Sequence, residues 1–114
     1  MALIYTTNLI IYTGTDFDQT FILEDTDTNN LKDLSGYSGC AQFKRHNSSS
    51  TSYSFDVTFF GDRRNGKIMI SIDAATTSTI KPGRYFYDIL LNDPQGITSR
   101  AIEGEVFVKK SVTR

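Results

Sequence analysis

Residues Tyr53–Phe59 alternate strictly, with Tyr53, Phe55, Val57 and Phe59 on one face and Ser54, Asp56 and Thr58 on the other. Side chains of an extended chain point to opposite faces in turn, so this run predicts a strand with one buried face. A second alternating run, Ile68, Ile70 and Ile72, follows after a turn ending in Asn65 and Gly66, residues suited to positive φ. The two runs predict a hairpin, and a hairpin with one apolar face needs a further layer to cover it.

The rest of the chain repeats the theme. Residues 3–12 are a β-branched and aromatic run that stops at Thr13-Gly14. In residues 16–24, Phe17, Gln19, Phe21 and Leu23 fall on one face. Residues 38–45 place Ala41 and Phe43 inward, with Cys40 expected as a small core or interface side chain. Residues 73–80 break the alternation, where Asp73 or Thr76 caps one helical turn and Ile80 drops into the core. Residues 85–91 and 97–108 form the closing strands, with Gly104 expected at a bulge or a close backbone approach. Of Tyr85 and Tyr87, one is expected to face the core and the other outward. With 114 residues, eight Phe and six Tyr, and turn residues every 8 to 12 positions, the expectation is one all-β domain over residues 1–114. It is an antiparallel β-sandwich of about seven to eight strands.

Composition excludes several classes of function. Thirteen acidic residues balance twelve basic ones, which argues against a nucleic-acid partner. One Cys and one His leave no disulfide framework and no Cys/His zinc site. No apolar run approaches the ~18 residues of a membrane span, so no membrane partner is expected. No cofactor motif is present, and the expectation is a non-enzymatic protein with no cofactor.

The segment Pro82-Gly83-Arg84-Tyr85 after an apolar plug resembles the tyrosine corner of Ig-like sandwiches, in which a Tyr hydroxyl bonds back to the local backbone. With Gly14-Thr-Asp-Phe17, Asp33-Leu-Ser-Gly-Tyr37, Gly66-Lys-Ile68, Gly83-Arg-Tyr-Phe-Tyr-Asp88, Arg100-Ala-Ile-Glu-Gly104 and Val112-Thr-Arg114, the chain resembles the Ig-like domains of bacteriophage virion proteins. Those domains include upper-baseplate and fibre-adaptor modules. The resemblance implies a virion protein that acts by contacts with baseplate, tail-fibre or capsid subunits and is oligomeric in the particle. An adaptor of the tail or baseplate is the leading expectation. A capsid decoration or cement protein is the alternative, and a carbohydrate-binding sandwich is a further one that the absence of Trp disfavours. Such adaptor domains often precede a coiled coil or receptor-facing region, whereas this sequence stops at Arg114 and is expected to act through its own surface.

The candidate site residues follow from this reading. Pro82, Gly83 and Tyr85 form the corner. Leu3, Tyr5, Ile11, Phe86, Lys109, Lys110 and Arg114 are candidate subunit contacts, because apolar edge strands, exposed aromatics and basic tails meet neighbours readily. Packing as the first strand of the same sandwich is the favoured reading of residues 3–12. Asp25, Asp27 and Asn29 mimic the start of a calcium loop, but Asn30 and Gly36 stand where its Gly and Glu belong, and a solvated loop is favoured. His46, Ser48–Ser50 and Asp56 lack the rigid placement that catalysis needs. Lys44-Arg45-His46 with Arg63-Arg64 read as a polar rim.

Overall fold

The computed structural model describes residues 5–24, 31–46, 51–59 and 63–112. Its strands are β1 (Tyr5–Thr6), β2 (Leu9–Tyr12), β3 (Phe17–Ile22), β4 (Ser38–Lys44), β5 (Tyr53–Phe59), β6 (Lys67–Ile72), β7 (Gly83–Asn92) and β8 (Thr98–Lys109). A short helix α1 (Ala74–Thr77) lies between β6 and β7. The Asp73 carboxylate caps α1 by accepting from the Thr76 amide at 2.8 Å, and hydrogen bonding from the Thr76 side chain, then from that amide, lowers the Asp73 pKa.

The strands form an all-β, Ig-like sandwich. One sheet runs β1/β2–β8–β7–β4 and continues into the first half of β5, through Tyr53, Ser54 and Phe55. From Asp56 to Phe59 the same strand pairs with β6, and β6 pairs with β3. A single strand thus turns the corner between the sheets. In immunoglobulin-type sandwiches, strands B, E and D share one sheet while C, F and G share the other. Here β3, β6 and the second half of β5 take the first set of places, and β4, β7 and β8 the second.

The core lies between the inward faces of both sheets. Ile68, Ile70 and Ile72 on β6 face Ala41, Phe43, Ile89, Leu91 and Ile102 of the other sheet, and all are buried. At its centre Phe43 is fully buried, with its ring centroid 4.9 Å from Phe55, 5.3 Å from Tyr53 and 5.5 Å from Tyr85. Phe55 reaches on to Phe17 at 5.9 Å and Tyr87 at 6.3 Å, so one chain of rings spans both sheets.

Several expectations need correction. Tyr85 and Tyr87 are both buried, because residues two apart on a strand share a face, and Phe86 between them points outward. Cys40 is exposed and not a core side chain, the interface alternative aside, since inward Ala41 sends its neighbour to the outer face. The run 3–12 is not one strand. It breaks at Thr7-Asn8 into β1 and β2, both parallel to β8, so the otherwise antiparallel sheet carries a parallel edge. The β7–β8 register also shifts at Ala101, a bulge not expected there.

Gly104 makes the close backbone approach, one of the two roles expected of it. A Cβ there would collide with the Thr7 carbonyl and stand 3.1 Å from the Tyr87 ring. The Tyr87 hydroxyl donates to that same Thr7 oxygen at 2.6 Å. The Thr7 amide donates to Glu103 O at 3.0 Å, and the Glu105 amide to the Asn8 side chain at 3.1 Å. The break in the first strand is therefore clamped onto β8 through a glycine-sized gap. The buried Thr77 hydroxyl is a second clamp, donating to Thr15 O at 2.8 Å and accepting from the Gly14 amide at 3.0 Å.

Gly104→Ala is expected to destabilise the protein by about 1–3 kcal/mol, the usual range for forcing atoms into a filled space. Urea unfolding measures it, and faster amide exchange should appear in residues 5–12 before the rest of the sheet.

Candidate interaction surface

The corner predicted from Pro82, Gly83 and Tyr85 is built from three elements. Ile80 fills the core below it, and the Tyr85 hydroxyl donates to Lys81 O at 2.7 Å. Arg45, just after β4, lays its guanidinium 4.8 Å from the Tyr85 ring centroid and donates to Pro82 O at 3.2 Å. The same guanidinium packs where a side chain on Gly83 would stand. Burial raises the Tyr85 pKa against the opposing pull of Arg45. Burial alone pushes Tyr87 up to about 12. In antibody domains a cysteine stands two residues after the corner tyrosine and bridges the sheets. Tyr87 occupies that place here, and its ring joins the inter-sheet aromatic chain.

Inward Tyr85 and Tyr87 put Arg84, Phe86 and Asp88 on the outer face of the same strand. Phe86 is 40% exposed, with the Arg84 guanidinium 5.5 Å from its ring centroid. Its register partners are Lys44 on β4 and Glu105 on β8, while Arg84 is paired with Phe107 and Phe107 with Ile10 on β2. Ion pairs cross the face: Arg84–Glu105 at 3.5 Å, Arg100–Asp88 at 3.4 Å and Arg100–Glu103 at 3.4 Å. An open groove of about 730 Å³ runs beside Phe86, lined also by His46, Asp88, Arg100 and Glu105. Ile10 and Tyr12, each close to half exposed, extend the apolar stripe to the sheet edge. The outer face of β3–β6 presents Asp18, Thr20, Ser71 and Thr58 around Met69, with exposed Ile22 beside Lys67 at its end.

The structure distributes the other candidates widely. Ile11 is fully buried, packed with the inward row of β2, and cannot be a subunit contact; its neighbours Ile10 and Tyr12 face solvent in its place. Tyr5 pairs through its backbone with Ile102, and Lys109 pairs with Tyr12 at the exposed end of β8, followed by exposed Lys110. Leu3, Arg114, Asp25, Asp27, Asn29 and Ser48–Ser50 lie outside the described residues. Arg45 and Arg63 are engaged in the fold, Arg63 donating to Tyr37 O at 2.6 Å and stacking on Phe59. His46 lines the groove, whereas Asp56 is in register with Ser71 on β6. Among the described residues no three His, Cys, Asp or Glu side chains gather to hold a metal ion.

No family model matches the sequence, and no curated protein matches it. Similarity appears in solved structures. The N-terminal domain of phage TP901-1 ORF48 aligns with a TM-score of 0.55 at 11% identity, over 94% of this chain and 97% of that one. The SrpA adhesin R347E mutant from Streptococcus sanguinis aligns with a TM-score of 0.51 at 13% identity, over 97% of this chain and 56% of the adhesin chain. At such identities the likeness is one of fold, and it agrees with the Ig-like sandwich built above.

The raised Tyr87 pKa has a consequence for stability. A hydroxyl whose pKa is higher in the folded than in the unfolded chain adds stability below the unfolded value near 10, and that stability is lost as pH rises toward about 12. Urea unfolding between pH 9 and pH 12 is therefore expected to weaken steadily above roughly pH 10. Tyr87→Phe should flatten that decline while lowering stability at pH 7 by about 1 kcal/mol for the lost hydrogen bond.

Proposed function

We propose that this chain is a non-enzymatic structural protein of a bacteriophage particle, an assembly module of the tail or baseplate that works through protein–protein contacts. The observation that carries the reading is the likeness in fold to the N-terminal domain of a phage protein over nearly the whole of both chains. The sequence motifs that resemble phage Ig-like modules point the same way. The outer face of the β4–β7–β8 sheet suits such a role. A rigid sheet holds an exposed aromatic, Phe86, among fixed charges, and aromatic anchors ringed by polar groups are the usual centres of binding energy.

The mechanism is docking without chemistry. The aromatic core fixes the sheet, the sheet fixes the spacing of its outward side chains, and that spacing selects a partner of matching shape and charge.

Particles of the phage that encodes the chain, disrupted and separated into heads and tails, provide the test. Mass spectrometry is expected to find the chain with the tails. Recovery with heads would replace this reading by a capsid decoration role, and absence from both fractions would end the virion reading.

A further inference from the structure

We propose that the outer face of the β4–β7–β8 sheet is a self-association surface on which a second copy of this chain docks about an oblique two-fold axis passing over Phe86 and Phe107. This deepens the assembly reading above by naming the partner. Phe86 stands at the centre of a cross of charges. Across the strands its register partners are Lys44 on β4 and Glu105 on β8. Along β7 its outward neighbours are Arg84 and Asp88. The line from Phe86 to Phe107 runs diagonally across the sheet, because Phe107 is paired with Arg84 and stands two residues from Glu105.

Rotation by half a turn about that diagonal lays a second sheet face to face on the first. It exchanges the places of Lys44 and Asp88, and those of Arg84 and Glu105. Each copy then sets Lys44 over the partner's Asp88 and Arg84 over the partner's Glu105, while Phe86 and Phe107 each meet their own counterpart. Neighbouring strands are about 4.8 Å apart and alternate residues roughly 6.8 Å apart, so the exchanged positions miss each other by only a few ångströms. Lys and Arg side chains span that gap.

Isologous interfaces require such self-complementarity: every contact occurs twice, so opposite signs must occupy positions that the axis exchanges. A face built for a different protein carries no such requirement. The pairs within one copy, Arg84–Glu105 and Arg100–Asp88, are part-exposed and contribute little, so they do not hold these side chains from a new partner. Lys44 makes no ion pair among the described residues.

Sedimentation velocity on the purified protein, from micromolar to millimolar concentration, tests the proposal. A reversible monomer–dimer equilibrium is expected, weakened about tenfold or more by Phe86→Ala. Lys44→Glu and Asp88→Lys should each weaken it, and an equimolar mixture of these two variants should restore it as a heterodimer. Thermal unfolding confirms that each variant is folded before it is scored. A chain that stays monomeric throughout overturns the proposal and leaves the face to a different protein. A dimer that ignores Phe86→Ala, or a mixture that fails to recover, overturns it as well. None of these results bears on which particle fraction holds the chain, so the two readings fail separately.

Discussion

The fold depends on Phe43. Its ring is fully buried between the sheets and touches Tyr53, Phe55 and Tyr85, and through Phe55 the contact chain reaches Phe17 on β3 and Tyr87 on β7. With one cysteine, itself exposed, the chain has no disulfide of its own to join its sheets. Stacked and edge-on rings take that place, each pair adding roughly 0.5–1.5 kcal/mol beyond the area it buries. The arrangement also fixes β7 along its length, because Tyr85 and Tyr87 are anchored at both ring and hydroxyl.

The two faces of β7 divide the work. Its inward tyrosines tie it to the corner through Lys81 O and to the break between β1 and β2 through Thr7 O. Its outward residues Arg84, Phe86 and Asp88 inherit that rigidity without sharing in the core. A sheet clamped in this way presents its outer side chains at small entropic cost, since the backbone beneath them is already ordered. The proposed docking surface is a by-product of how the interior is pinned.

Much of this was legible from residue order alone. The Tyr53–Phe59 and Ile68–Ile72 alternations appear as a hairpin in register, the Asp73 cap forms, and Ile80 enters the core. The corner hydrogen bond of Tyr85 also stands where the motif implied. What failed did so for local reasons. Leu9-Ile10-Ile11-Tyr12 is apolar throughout, so its pattern does not say which alternate residues face inward, and the break at Thr7-Asn8 sets the phase. The inward pairing of Tyr85 and Tyr87 was available from the two-residue period, as was the outward turn of Cys40 beside Ala41. The bulge at Ala101 carries no sequence signal, and Thr77 becomes a buried staple only once α1 is placed against the Gly14 turn. The outer charge pattern around Phe86 required the strand register, which no single segment contains.

Hydroxyl-radical footprinting of the chain, dilute and at concentrations where it associates, tests the central proposal most directly: that the outer face of the β4–β7–β8 sheet is the working surface. The account predicts strong protection of Phe86 and Phe107 on assembly, with Ile22 and Met69 on the opposite sheet labelled as in the free protein. Protection of Ile22 and Met69 with Phe86 unchanged would contradict it.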